Sequence, residues 1–297
     1  MSHHQQISRR SFLRAATKTI AAAALAGPTI AGYSALGEPG WLATEHIAVA
    51  IAGLHPDLAG LTIVQLSDIH ASREVRSEWI DRAVAAANEL RPDLIVLTGD
   101  YVSHGLGYLP GVAAQLAALR APLGVFATLG NHDHWTGAPG RVAAALTDGG
   151  IAMLRNRGTA IERGAGALWL AGVDDIWERQ ADPEAAFAAA PRDLPRLLLA
   201  HEPDFADTAA GYGVALQLSG HTHGGQVRVP GFGAPVIPRY GTRYPIGLRR
   251  VAGSQTQVYT NRGVGMVSPA VRLNCRPEVT QITLLPAASV SSSTDSL

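Results

Sequence analysis

The chain has 297 residues, 47% of them hydrophobic, and its 24 basic residues are balanced by 24 acidic residues. This length allows one large domain with a substantial core, and the hydrophobic content excludes a disordered polymer. The balanced charge gives no argument for a nucleic-acid partner. One cysteine, Cys275, excludes both an intramolecular disulfide and a cysteine-based zinc site, so we expect it to be structural.

Residues 1–40 are predicted to be a targeting segment and linker. They contain a twin-arginine sequence, Ser8–Arg14, and then an alanine-rich run over 15–35 without an acidic residue. This pattern predicts export of a folded protein by the Tat translocase to the periplasm or cell envelope. The run is marginal in length for a bilayer span, so cleavage and retention as a membrane anchor both stay open. The alternative is an alanine-rich first helix whose paired arginines are accidental.

The main domain is predicted over residues 41–286, followed by a disordered serine-rich tail at 287–297. Short apolar runs alternate with segments whose apolar residues have helical spacing, which is the pattern of a layered α/β fold. The predicted strands cover 46–51, 61–66, 93–98, 124–129, 167–173, 197–200, 213–218, 257–261 and 279–284. The predicted helices cover 77–90, 112–120, 141–148 and 182–190.

Five of these strands run directly into residues that can bind a metal. Open α/β sheets bind ligands just beyond their strand ends, so the five coincidences predict one shared metal site. Carboxylate, imidazole and amide donors without a thiolate favour manganese, iron or zinc over calcium or copper. The residues, in chain order, are Asp68, His70, Asp100, Asn131, His132, Asp133, His201, His221 and His223.

The order of these motifs resembles that of the calcineurin-like metallophosphoesterases. Asp-x-His, Gly-Asp, Gly-Asn-His-Asp, a single His and Gly-His-x-His follow one another between about residues 60 and 226. The longer form Gly-His-Thr-His-Gly-Gly-Gln, together with the twin-arginine leader, is similar to an envelope-directed branch of that family. The resemblance implies a single-domain, four-layer α/β/β/α sandwich, whereas periodicity alone supports only a layered α/β domain.

The resemblance also implies two divalent metal ions, Mn²⁺, Fe²⁺/Fe³⁺ or Zn²⁺, that activate a hydroxide for attack on phosphorus. It further implies that His132 is a catalytic residue facing the substrate, and we expect Asp133 to orient it. The implied ligands are Asp68, His70 and His223 for one ion and Asn131, His201 and His221 for the other, with Asp100 bridging both.

An acidic pair and a long segment lie outside the motif set. Asp174 and Asp175 follow a predicted strand, and we expect them to cap a turn or to bind an arginine. Residues 227–249 are rich in Pro, Gly, Arg and Tyr and are expected to form a loop beside the site. Arg239 and Arg243 are candidates for binding the substrate phosphate, with an ordinary solvated loop as the alternative.

The predicted function is metal-dependent hydrolysis of phosphate esters, with phosphodiesters favoured. Export favours substrates of the envelope, such as phospholipids, glycolipids or wall polymers, over nucleic acids, and leaves membrane association open. One alternative is an enzyme similar to UDP-2,3-diacylglucosamine pyrophosphatase, whose reaction requires a cytoplasm-facing site. Another is a catalytically silent metal-binding envelope protein, against which the complete motif set argues.

Overall fold

The computed structural model describes residues 27–287 of the chain. The twin-arginine sequence and nearly all of the predicted tail lie outside these residues. A π-helical turn, Tyr33–Gly37, and a 3-10 turn, Glu38–Gly40, precede the first strand. The strands are β1 Ala43–Ile51, β2 Thr62–Leu66, β3 Leu94–Thr98, β4 Val125–Thr128, β5 Ala152–Met153, β6 Arg157–Arg163, β7 Gly166–Gly172, β8 Arg196–Leu199, β9 Val214–Ser219, β10 Gly247–Arg250, β11 Gln257–Thr260 and β12 Glu278–Pro286.

The helices that position the site follow or connect these strands. From residue 77 onward they are α1 Ser77–Glu89, α2 Leu109–Leu116, α3 Asn131–Trp135, α4 Pro139–Asp148, α5 Pro183–Phe187 and α6 Ala206–Ala209. No helix within residues 27–287 is both long and apolar enough to cross a membrane.

The strands form two six-stranded sheets that pack face to face. The first has the order β1-β12-β2-β3-β4-β5 and the second the order β10-β11-β9-β8-β7-β6. Strands β2, β3 and β4 are parallel, as are β7, β8, β9 and β11. Gln65 of β2 donates a hydrogen bond of 2.9 Å to the carbonyl oxygen of Ser219 in β9, which joins the two sheets near their carboxyl ends.

Strand β3 shows why the apolar runs become central strands. Its side chains alternate between the two faces of the sheet, as in any β-strand. Leu94 and Val96 pack in the core between the sheets, whereas Ile95 and Leu97 pack against the helices. Because both faces are covered, the strand is continuously hydrophobic.

Helices cover the outer face of each sheet. Helices α1, α2 and α4 contribute Ile80, Val112 and Leu146 to the core on the first sheet. Helix α5 contributes Ala186 and Phe187 to the core on the second. The four-layer α/β/β/α sandwich predicted from the family resemblance is therefore confirmed.

The predicted strands are all present, with their bounds shifted by up to three residues. The structure adds β5, β6, β10 and the short helices α3 and α6. Strand β6 was missed because of its seven residues only Ile161 is buried, so its composition is that of a surface segment. Helix α2 begins at Leu109 rather than 112, because Pro110 lies in its first turn, where a missing N–H costs nothing.

Candidate metal centre

The seven predicted metal ligands lie together where β2, β3, β4, β8 and β9 end. All are buried, and the most exposed, His221, has a relative accessibility of 6%. Each follows its strand within a few residues, so the sheet topology alone brings them to one edge. The ligands are Asp68, His70, Asp100, Asn131, His201, His221 and His223.

Five of the seven ligands have a backbone in the left-handed region. Their φ angles lie between 48° and 70°, where residues other than glycine are strained. The loops after β2 and β3 hold each other in this conformation: Asp68 N donates to Gly99 O at 3.0 Å, and His70 N donates to Asp100 O at 2.9 Å. The strain is concentrated at the residues that aim their side chains into the site.

The first group of ligands consists of Asp68, His70 and His223, whose donor atoms lie within 4.8 Å of one another. The Nε2 atoms of His70 and His223 are 3.1 Å apart, and His223 Nε2 is 3.4 Å from Asp68 Oδ1. Burial, with the neighbouring His70 as a lesser cause, holds the pKa of His223 well below its usual range. Two buried ring nitrogens that face each other beside a carboxylate suit a shared cation.

Asp100 lies between this group and the second. Its Oδ2 atom is 3.4 Å from His70 Nε2 and 3.1 Å from His201 Nε2. On the same side as His201, Asn131 Oδ1 is buried without a hydrogen-bond partner. Buried polar atoms are rarely left unpaired, and a metal cation is a partner that suits this amide oxygen. The donor set therefore fits the metals that the sequence predicts.

The ligand histidines are oriented by bonds from their other ring nitrogen. His201 Nδ1 donates to Thr98 O at 2.6 Å, and His221 Nε2 donates to Arg239 O at 2.8 Å. These bonds leave His201 Nε2 and His221 Nδ1 for a metal. Burial, and secondarily the charge of His201, lowers the pKa of His221 to about 3, which keeps its ring neutral and able to coordinate.

Two glycines of the motifs are required for space. A Cβ atom at Gly220 would lie 1.9 Å from Ser67 Oγ and 2.1 Å from Asp68 Oδ2. A Cβ atom at Gly130 would lie 2.3 Å from Asp100 Oδ1. Each glycine therefore lets one loop approach a carboxylate that belongs to another.

His132 is placed beside the ligands, but Asp133 does not orient it. His132 Nδ1 donates to Ser103 O at 2.9 Å, which leaves Nε2 as the free ring nitrogen. The Asp133 carboxylate instead accepts from the main-chain N of Asp100 at 2.8 Å and of Tyr101 at 2.9 Å. The predicted role of Asp133 is corrected accordingly: it fixes the loop that carries Asp100, because those amides have no other partner.

The ligands open onto a cavity of about 330 Å³. Two tryptophans that the sequence analysis missed, Trp135 and Trp177, lie in its wall with ring centroids 5.6 Å apart. The ring of Trp135 is also 4.5 Å from that of His132. The sequence signal for Trp135 was its position three residues after His132, which places both side chains on one face of a helix.

The two arginines predicted to bind phosphate do not line this cavity. Arg243 pairs with Asp207, so its charge is already offset, and its assignment is corrected. The guanidinium of Arg239 lies 4.5 Å from the centroid of the Tyr240 ring. Its substrate role stays a prediction, while its carbonyl oxygen orients His221.

The acidic pair after β7 behaves as expected. Asp174 accepts two hydrogen bonds from Arg155, at 2.7 and 2.9 Å, and one from His134 Nε2 at 2.8 Å. Asp175 Oδ1 accepts from Glu178 N in the following turn. The prediction of an arginine partner or a turn cap is confirmed, and neither residue belongs to the three clusters of candidate metal ligands.

Gln226, the last residue of the Gly-His-Thr-His-Gly-Gly-Gln motif, fixes one wall of the cavity. Its Nε2 donates to the carbonyl oxygens of Val267 and Pro269, both at 3.1 Å, and its Oε1 accepts from Val267 N at 2.7 Å. Cys275 lies beneath the same motif, buried, with Sγ 3.2 Å from His223 O. It is structural, as expected from the sequence.

Comparison with known proteins places these observations in a family. Residues 61–225 match the model of the calcineurin-like phosphoesterases. The chain is 39% identical to the Escherichia coli phosphodiesterase YaeI, over 94% of this chain and 100% of that protein. It is 34% identical to the uncharacterized Bacillus subtilis metallophosphoesterase YkuE, over 94% of this chain and 98% of that protein.

Among solved structures, Haemophilus influenzae NAD nucleotidase is similar with a TM-score of 0.49 and 14% identity, over 69% of this chain and 45% of that one. The family match covers all seven ligands as well as His132. The chain thus belongs to the calcineurin-like phosphoesterase family and is a metal-dependent phosphoester hydrolase.

Proposed function

We propose that the protein is a phosphodiesterase of the cell envelope that uses two divalent metal ions, Mn²⁺, Fe²⁺/Fe³⁺ or Zn²⁺. We infer two ions from the position of Asp100, whose carboxylate lies between His70 and His201. Preference for diesters is supported by the phosphodiesterase name of the Escherichia coli relative. Export through the Tat translocase is supported by the twin-arginine sequence Ser8–Arg14.

Each part of the chain has a distinct task in this reaction. When bound, paired cations lower the pKa of water and neutralise phosphate oxygens. Asp68 and Asp100 would offset the positive charge, and the ligand histidines would supply ring nitrogens to the ions. His132 offers its free Nε2 to the phosphoryl or leaving-group oxygen, because Nδ1 is engaged with Ser103 O. Trp135 and Trp177 form the aromatic part of the cavity wall beside the site.

The test is made on the purified protein, stripped of metal and reloaded separately with Mn²⁺, Fe²⁺ or Zn²⁺. Hydrolysis of bis(p-nitrophenyl) phosphate is compared with that of p-nitrophenyl phosphate. Metal-dependent cleavage of the diester, with two ions bound per chain, supports the proposal. Cleavage of the monoester alone contradicts the diester preference and makes the protein a phosphatase.

The envelope assignment has its own experiment. Cell fractionation is carried out on the wild type and on a variant with both Arg9→Lys and Arg10→Lys, which retains the charge but removes the guanidinium pair. The wild type is expected in the envelope or periplasmic fraction and the variant in the cytoplasm. An unchanged distribution would contradict export by the twin-arginine route.

A further inference from the structure

The metal ligands occupy one end of the cavity, and the rest of it is an apolar groove. Among the lining residues beyond the ligands and His132, polar side chains are few. Thr222 Oγ1 donates to Pro245 O, and the amide of Gln226 is used in main-chain hydrogen bonds. The apolar residues that line the groove come from two stretches of the chain: Val227, Pro235, Val236 and Pro238, and Val267, Pro269 and Val271.

The composition of these walls restricts what the groove can bind. No arginine or lysine lines it, the side chains of Thr222 and Gln226 are engaged elsewhere, and Ser268 contributes a single hydroxyl to the wall. A sugar or a nucleoside has several hydroxyl and amide groups, and those beyond the reach of Ser268 would cost about 1–3 kcal/mol each if left without a partner. An apolar chain gains free energy in the same place by leaving water.

The groove is held open by hydrogen bonds rather than by an occupant. Gln226 ties the 267–271 wall to the motif that carries His221 and His223. Arg228 N donates to Leu273 O, and Leu273 N donates to Gln226 O, both at 2.8 Å. A pre-formed apolar channel that continues directly from the reaction centre is a substrate subsite by its geometry.

Large apolar side chains stand exposed beside this groove. A tight turn closed by Val229 N donating to Gly233 O carries Phe232, which is 75% exposed, and Val236 in the groove wall is 74% exposed. Val229 itself is 44% exposed. We call Val229, Phe232 and Val236 the apolar rim. Exposed apolar groups clustered beside a site indicate an interaction surface.

The segment that leads out of the targeting sequence lies beside the same loops. Glu38 accepts a hydrogen bond from the main-chain N of Asn274, and Asn274 Nδ2 donates to Arg228 O, both at 3.0 Å. Leu36 and Trp41 of this segment are 70% and 55% exposed. Residues 36–41 and the apolar rim are therefore connected through one loop, which suits a common position at a lipid surface.

From these observations we infer that the substrate is an amphiphilic phosphodiester presented at a lipid surface. Its apolar chain lies in the groove while its phosphate is at the metal ligands, and the apolar rim sits in the lipid surface. This inference rests on the proposed function and narrows its substrate class to lipids, in preference to wall polymers.

The groove is tested with a series of n-alkyl p-nitrophenyl phosphates, from methyl to octyl, on the metal-loaded full chain. We expect kcat/KM to rise by up to about fourfold per methylene until the groove is filled. The isosteric substitutions Val267→Thr and Val271→Thr should flatten this rise, so that the ratio of the octyl to the methyl kcat/KM falls well below that of the wild type.

A flat series in the wild type, with the bis ester still cleaved, would overturn the inference and leave the proposed function intact. The same slope in wild type and both variants would also overturn it. Failure to cleave any ester with any metal would overturn the proposed function and the inference together.

The rim is tested with hexadecyl p-nitrophenyl phosphate diluted into phosphatidylglycerol vesicles, against the butyl ester in solution. The double variant Val229→Ser with Phe232→Ser, whose residues lie in the rim and not in the groove wall, should lose about tenfold in rate on vesicles and retain its rate on the butyl ester. Leu285→Ser is the control, because Leu285 is 41% exposed but ends β12, which runs antiparallel to β2 and away from the site. Equal losses in the double variant on both substrates, or none on vesicles, would overturn the rim assignment.

Discussion

The strand ends and the 227–249 segment face the same cavity, but they are built in opposite ways. At the strand ends, polar ligands are buried on strained backbone, and most of their side chains are oriented by a second partner. The 227–249 segment contains only one short strand, β10, and exposes apolar side chains such as Phe232. The difference teaches that the metal-binding end of the cavity is built on the most constrained backbone of the fold, whereas the end that we propose binds the apolar part of the substrate is built on loops.

The largest effect is expected from Asp100→Asn, which removes the charge between the two ligand groups. Activity should fall by more than roughly 10³-fold, because stabilisation of the transition state and metal retention are lost together. Hydrolysis of bis(p-nitrophenyl) phosphate and metal content by mass spectrometry are the measurements. Phe232→Ser, in the 227–249 segment, is the control variant, and it should retain full metal content. An active Asp100→Asn enzyme would contradict the strand-end assignment.

His132→Ala should separate catalysis from metal binding. Both ions are expected to remain bound, while kcat falls by about 10²–10⁴-fold, the usual contribution of a residue that handles a proton. The loss should be most severe for diesters with alkyl leaving groups and least for p-nitrophenol, which leaves without protonation. A variant with unchanged turnover on an alkyl ester would remove His132 from the catalytic residues.

Ser103→Ala should have an intermediate effect, because Ser103 contacts two site residues in different ways. Its Oγ lies 3.2 Å from His70 Nδ1, whereas its carbonyl oxygen accepts from His132. The substitution removes the contacts of the hydroxyl with His70, which include its donation to His70 O at 3.3 Å, and keeps the carbonyl oxygen. Metal affinity should therefore fall by about 10–100-fold with little change in kcat at saturating metal. Metal titration followed by activity makes the measurement, and a reduced kcat at saturation would show that the hydroxyl acts on catalysis instead.

The smallest effect is expected for the hydrogen-bonded pair His134 and Asp174, which lies outside both the strand ends and the 227–249 segment. Burial opposes a charged His134, but the hydrogen bond to Asp174 and its charge outweigh this and raise the pKa of His134 above its ordinary 6.5. The pair's stabilisation is therefore complete below pH 6.5 and is lost as pH rises through the raised pKa. His134→Gln should cost about 1 kcal/mol in urea unfolding at pH 6 and less at pH 9.

Asp174 contributes a pH dependence of stability with the opposite sign, in the acid range. Burial opposes its charge, but hydrogen bonds from His134 and Arg155 outweigh this and hold its pKa below the ordinary 3.8. Its contribution is present above pH 3.8 and is lost as pH falls through the lowered pKa. Asp174→Asn should therefore reduce the pH dependence of stability on both sides and leave metal-loaded activity within about twofold. A larger loss of activity would place the pair in the site.

The sequence predicts which polar residues meet at the strand ends, because their convergence depends on two local rules. A buried strand is apolar on both faces, and functional residues in α/β sheets follow the strand ends. Asp68, Asp100 and His201 obey both rules, so their convergence follows from the topology. The same reasoning finds the four layers, because α1 and α2 carry apolar residues at helical spacing.

What the sequence does not predict is contact between distant loops. Asp133 was assigned to His132 because the two are neighbours in the chain, yet its carboxylate reaches amides 32 and 33 residues away. The sequence makes Arg243 a candidate for binding phosphate because its partner, Asp207, lies on another element and no local pattern shows their pairing. The groove joins residues near 227, 236 and 267, and no local pattern in the sequence links these three stretches.

The position of β12 has a consequence for the timing of folding. This strand, Glu278–Pro286, is inserted between β1 and β2 and pairs with both, in parallel with β1 over nine residues. The first sheet therefore cannot form completely until Pro286 has been synthesised. More than 200 residues separate β1 from β12, so β1 is synthesised long before its neighbour in the sheet. Such long-range pairing makes folding a slow, post-synthetic event. A translocation route for folded proteins, as the twin-arginine sequence predicts, would give this chain the time it needs.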